Sequence, residues 1–194
     1  MPVYFGRRLA ALTLLLSAAL AAPACAAAEV AGVAVAPEVQ AQGQTLALVG
    51  AGLRSKFIVK VYVAALYAAR PGRDARALIE SPAPRRLRLQ LLRDVDAATL
   101  DEALQEGLRD NTAANELAAM QPSARRLTGL LTALGTLREG DVIDLDFDAR
   151  GVEAAHGGKP LGRIDDPAFA RALLRVWLGD KPAQSSLKKA LLGG

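Results

Sequence analysis

Few side chains in this sequence are equipped for acid–base or nucleophilic chemistry. There is one histidine, His156, and one cysteine, Cys25, in 194 residues. His156 stands in "EAAHGGKP" beside a Gly-Gly pair and reads as an exposed turn residue. A lone histidine argues against a zinc site, and no nucleophile elbow supports a Ser-His-Asp arrangement. Asp144, Asp146 and Asp148 alternate along "DVIDLDFDAR" but lack the D-x-D-G loop that wraps calcium, so they read as the solvated face of a strand. Neither a metal nor a cofactor is expected. What remains is "GAGLRSKFIVKVYVAALY", residues 50–67, where Arg54 precedes an apolar run that carries Tyr62. A guanidinium binds a carboxylate through two parallel N–H donors, and a phenol can add another. Two readings of Arg54 stand side by side: a surface residue paired with an acid such as Asp94, or a cation facing an apolar cleft. Tyr62 is likewise either ordinary sheet packing or a donor into that cleft.

Both residues must be positioned by strands. Val33 and Val35 mark a short strand stopped by Pro37, and Thr45–Val49 another after a turn at Gly43. Gly50 and Gly52 read as a bend or bulge. From Ser55 to Ala68 the alternation predicts one long strand. Its Phe57, Val59, Val61, Val63, Ala65 and Tyr67 face is uniformly apolar and should meet a packed layer. The opposite face is wet at Lys56 and Lys60, greasier towards Leu66, and suited to line a cleft.

The remaining elements follow from caps and periodicity. "ARALIE" is a short helix between an Asp74 cap and Pro82, and "RRLRLQLLRDV" is a strand with Leu87, Leu89 and Leu91 inward and Arg86, Arg88 and Gln90 towards water. Asp96 caps a helix running to about Asn111 with Leu100, Ala103, Leu104, Gly107 and Leu108 as its apolar stripe. Two more helices follow, around 115–120 and from Pro122. Ile143, Leu145 and Phe147, with turns at Arg150-Gly151 and Gly157-Gly158, predict a three-stranded meander. Asp166-Pro167 opens a helix that Gly179 ends, burying Phe169, Leu173, Leu174 and Trp177, and "SSLKKALLGG" closes the chain. Strands, helices, strands, helix is an α+β order: an antiparallel sheet covered by helices on one face.

The N-terminus reads as a cleavable secretory leader over residues 1–28, with Arg7 and Arg8, an apolar run from Leu9 to about Ala22, and small residues to a cut after Ala26 or Ala28. The run is too short and alanine-rich for a membrane span. Ala22 stands where a lipid-attachment site has leucine, which argues against an anchor at Cys25. The expected mature chain, 29–194, is then a single domain in the periplasm or outside the cell, without cysteine and with no transmembrane segment. Loss of Arg7 and Arg8 lowers the formal charge from +4 to about +2, and the basic residues are scattered, which excludes a nucleic-acid footprint. Nothing in the sequence specifies an oligomer.

"GAGLRSKFIVKVYVAALY", "LLRDVDAATLDEALQEGL", "EGDVIDLDF", "GKPLG" and "FARALLRVWLGDKP" together resemble the chalcone-isomerase-like family, in its secreted bacterial branch. The resemblance spans nearly the whole expected mature chain. It implies an open-faced β-sandwich, a large antiparallel sheet layered with α-helices, with a ligand cleft between long strands and helices. Plant members cyclise chalcones, and related plastid members bind fatty acids. Carried over by position, Arg54 matches the arginine that holds a phenolate and Tyr62 the hydroxyl residue on the long strand. The remaining polar positions of the plant pattern correspond to Leu100, Gly107 and Val176, where no donor remains. Loss of one well-placed donor costs about 10²–10³ in rate. The expectation is a binder of a fatty acid or similar apolar anion, anchored by Arg54 with Tyr62 and lined by Leu100, Gly107 and Val176. The alternatives are an isomerase, or intramolecular lyase, on a chalcone-like or other small substrate, and a non-catalytic interaction protein whose cleft is packed shut.

Overall fold

The computed structural model describes Met1 and residues 28–194; apart from Met1 and Ala28, the expected leader lies outside the described residues. Two short strands, β1 (Ala28–Val30) and β2 (Val33–Val35), form a hairpin. β3 (Glu38–Ala41), β4 (Gln44–Lys56) and β5 (Val59–Ala68) follow as a meander, then α1 (Ala75–Glu80) and β6 (Arg85–Leu91). A helical stretch comes next: α2 (Ala97–Asn111), α3 (Ala114–Ala119) and α4 (Gln121–Thr132), bracketed by a two-residue pair, β7 (Val95–Asp96) and β8 (Thr136–Leu137). β9 (Val142–Phe147), β10 (Val152–His156) and β11 (Lys159–Ile164) return to the sheet, and α5 (Pro167–Leu178) and α6 (Ser185–Leu191) close the chain. Seven strands form one antiparallel sheet in the order β11-β10-β9-β6-β5-β4-β3. Fold class and architecture are those expected: α+β, with helices layered on a large antiparallel sheet.

The caps work as the sequence predicts. Carboxylates of Asp74, Asp96 and Asp166 accept from the backbone N–H of Ala77, Ala98 and Phe169, satisfying donors that the first helical turn leaves unpaired. α5 buries Phe169, Leu173, Leu174 and Trp177 against the sheet, and α2 packs Leu104 and Leu108 beside it. Arg85, 3% exposed, is held without a salt bridge among the described residues. Its guanidinium donates to the carbonyls of Leu78, Ile79 and Ala83, closing the end of α1, and lies 5.9 Å over the Phe147 ring. Burial pulls its pKa down to about 10.

Three expectations change. The stretch 50–67 is a hairpin and not one long strand: β4 continues through Gly50 and Gly52, with the expected irregularity present as a register shift between Leu48 and Gly50, and the chain reverses at Phe57–Ile58. The glycines serve close approach. A Cβ on Gly50 would collide with the Ala190 carbonyl, and one on Gly52 would lie 2.6 Å from Ala190 Cβ, so α6 sits directly on β4. The sides of β5 also exchange roles. Tyr62, Ala64, Leu66 and Ala68 meet the helical layer and join the main core. Val63, Ala65 and Tyr67 pack with Val33, Val35 and Leu46 in a smaller cluster on the other side. Phe57 and Val59, expected in a packed layer, are exposed.

The third change concerns the charges. Arg86 and Arg88 on β6 are not simply solvated; they stand opposite Asp146 and Asp144 on β9 in direct register. Arg86 grips Asp146 with two N–H donors at 2.6 Å each, and Arg88 grips Asp144 at 2.8 and 2.9 Å. Asp144 is 3% exposed and Asp146 8%. Asp148 accepts from Arg163 at 2.5 Å and from the N–H groups of Arg150 and Gly151. Burial alone would raise its pKa, but those donors hold the carboxyl below the usual carboxylate range.

Candidate ligand cleft

Arg54 and Tyr62 are cross-strand partners near the turn end of the β4–β5 hairpin. Directly opposed residues project to one face of the sheet, so both point to the side that the helices cover. A shift in register just after Arg54 leaves Val61 as the extra residue of β5, and its side chain packs on the helical core. Above this corner α2 crosses α5, leaving a cleft of about 590 Å³. Arg54, Tyr62, Leu100, Gly107 and Val176 all line it.

The Arg54 guanidinium is half-buried. It donates to Ser55 O at 2.6 Å and to Gln184 Oε1 at 3.2 Å, and Gln184 Oε1 also accepts from Ser55 N–H at 2.9 Å. Among the described residues no carboxylate forms a salt bridge with it. Asp94, the acid considered as its partner, pairs instead with Arg138 at 2.7 Å. Positive charge therefore faces the cleft without a salt bridge among the described residues, oriented by a neutral amide.

Tyr62 is buried, and its hydroxyl accepts from Trp177 Nε1 at 3.0 Å. A phenol has one proton to give, and among the described residues nothing accepts it. Burial raises the Tyr62 pKa, against smaller lowering effects from the Trp177 hydrogen bond and the nearby Arg54 charge, so the group stays protonated in neutral solution. Trp177 is thus more than core packing: it fixes the rotation of Tyr62. A buried indole N–H needs an acceptor, which is a signal readable from sequence; the role of Gln184 is not.

The helical wall supplies the aliphatic groups of the cleft. Leu100, Leu104 and Val176 are buried there. Gly107 carries no side chain and has room for none, since a Cβ would stand 2.6 Å from Val176 Cγ1. Valine is stiff at χ1, so Gly107→Ala should push α2 off α5. An overpacking cost of about 1–3 kcal/mol competes with about 1 kcal/mol of helix propensity gained by alanine. The expected outcome is a lower melting temperature for Gly107→Ala that is restored when Val176→Ala is added. Charged residues also line the cleft: Lys56 from β4, and Glu102, Glu106, Arg109 and Asp110 from α2. A groove of about 740 Å³ around Asn111, Gly179 and Lys181 is larger. It is an open, mixed-charge surface at helix ends, and it lacks the convergence of donors on an apolar wall.

A model of the chalcone isomerase-like family matches residues 27–193. The chain belongs to the chalcone isomerase-like family. No curated protein matches it. Among solved structures, this chalcone isomerase-like protein is similar to the crystal structure of an Arabidopsis thaliana fatty-acid binding protein. The TM-score is 0.61 with 18% sequence identity, over 80% of this chain and 95% of that one. At that identity the likeness establishes a shared fold. Within the fold, this member's sheet side carries a cation and a phenol, and its helix side carries aliphatic groups.

Proposed function

We propose that the protein binds a fatty acid or a similarly apolar carboxylate, its head on Arg54 and Tyr62 and its chain along Leu100, Leu104 and Val176. One observation carries this reading. Among the described residues, a guanidinium without a salt-bridge partner and a phenolic proton without an acceptor converge on one cleft that Leu100, Leu104 and Val176 also line. A desolvated guanidinium beside a carboxylate is among the stronger recognition pairs available to proteins. The fold shared with a plant fatty-acid binding protein agrees with it, and a cleft of about 590 Å³ is in the usual range for a small ligand, about 300–1,000 Å³. The open cleft also speaks against the interaction-protein reading, which needs it filled. We place the protein in the periplasm or outside the cell, on the strength of the N-terminal leader pattern.

Native mass spectrometry of protein taken directly from cells, combined with displacement of a fluorescent fatty acid, tests the binding. A co-purified carboxylate lipid, and displacement by palmitate but far more weakly by methyl palmitate, are expected. Equal displacement by acid and ester would remove the charge-anchored reading. Turnover of a chalcone without fatty-acid uptake would favour the isomerase.

A further inference from the structure

The β4–β5 hairpin reverses through a two-residue turn, Phe57–Ile58, closed by the Lys56–Val59 pair. Such turns ordinarily use glycine, asparagine or aspartate, because a central residue takes positive φ. Here Phe57 takes it, at φ +56°. Phe57 is 94% exposed and Ile58 97%, the large hydrophobic side chains that stand out most fully from the folded residues. Exposed Lys56 and Lys60 flank them. From Val39 to Arg73 the chain contains five basic residues and no acidic one. The acids that line the cleft, Glu102, Glu106 and Asp110, stand on α2.

We propose that this hairpin tip docks on an anionic lipid bilayer, with Phe57 and Ile58 inserted among the acyl chains and Lys56 and Lys60 at the headgroups. The charge pattern and the shape select this occupant. Two apolar side chains on a narrow protrusion offer far less than the roughly 800 Å² per partner that a stable protein interface needs, whereas a bilayer requires no complementary pocket. A second copy docked tip to tip would bring the lysines of both copies together. Headgroups of opposite charge remove that repulsion, and each basic residue near such a surface adds to the attraction. Lys56 and Arg54 also line the cleft, so docking sets the cleft entrance beside the membrane.

Co-sedimentation with phosphatidylcholine vesicles, with and without phosphatidylglycerol, tests the proposal. No fatty acid is added, so the result is independent of whether the cleft takes a ligand. The wild type should partition onto the anionic vesicles. Phe57→Ser with Ile58→Ser should weaken this by roughly 100-fold, and Lys56→Gln with Lys60→Gln by about 30-fold on anionic vesicles only. Phe57→Gly relieves the backbone and should melt about 2–4 °C higher while binding vesicles more weakly, which separates docking from folding. Absence of wild-type sedimentation, or wild-type binding by the double serine variant, would overturn the proposal. So would a lipid-free dimer that the double serine variant dissociates, since the tip would then be a protein contact.

Discussion

Asp144→Ala should destabilise the protein by about 2–4 kcal/mol. The Asp144 carboxylate is almost fully buried, accepts two N–H donors from Arg88 and lies 3.5 Å from Arg86. Its removal leaves two guanidinium groups on the same face of β6 sharing only Asp146. Removing one partner of a buried pair typically costs about 3–5 kcal/mol; the lower figure allows for Arg88, whose side chain is 32% exposed and can still reach water. In urea, with a slope of about 2 kcal/mol per molar, the midpoint should fall by roughly 1–2 M at unchanged slope. Replacing both partners, Arg88→Leu with Asp144→Leu, should recover most of the loss, because neither charge is then left buried alone. If Asp144→Ala unfolds at the wild-type midpoint, the ladder contributes nothing to stability.

Arg54→Ala should weaken fatty-acid binding by about 30–150-fold, the equivalent of roughly 2–3 kcal/mol for hydrogen bonds to a charged group. Arg54→Lys should lose less, about tenfold, since it keeps the charge but not the planar fork. Binding of the uncharged methyl ester should be nearly indifferent to both changes. Arg54 donates to Ser55 O and Gln184 Oε1 and neighbours the Tyr62 hydroxyl, all at a half-buried position, so thermal stability should move little. Tyr62→Phe makes an instructive contrast. It removes the second donor but also strands the buried Trp177 N–H, so it should lower stability by about 1–3 kcal/mol as well as affinity. Unchanged fatty-acid affinity in Arg54→Ala would move the anchor elsewhere.

Much of this architecture is legible in the chain itself. Caps at Asp74, Asp96 and Asp166, the leucine spacing of α2 and the alternation in β9 specify local structure through short-range hydrogen bonds and burial. Those signals lie within a few residues of one another. The turn at Phe57–Ile58 escaped because it carries none of the usual turn residues, and the exposed apolar pair extends the alternation of the strand across the reversal. Gly50 and Gly52 read as a bend or bulge, and β4 does shift register between Leu48 and Gly50, but their other role, close approach to α6, depends on residues about 140 positions away in sequence.

The candidate site divides in the same way. Residue type and spacing single out Arg54 and Tyr62, and the family pattern adds Leu100, Gly107 and Val176; tertiary packing is what brings all five to one cleft. That Asp94 goes to Arg138 rather than Arg54 depends on loop placement, and that Trp177 orients Tyr62 depends on how α5 lies across the sheet. Asp144 and Asp146 look solvated in sequence because alternation reports only which side of a strand a residue occupies. Whether that side meets water or a row of arginines is decided by the pairing of β6 with β9, strands more than 50 residues apart. By itself the sequence determined the elements, their caps and the residue types at the cleft. Which charges are paired, which tyrosine proton is free and which apolar residues are exposed were settled only by the tertiary structure, because each depends on a partner distant along the chain.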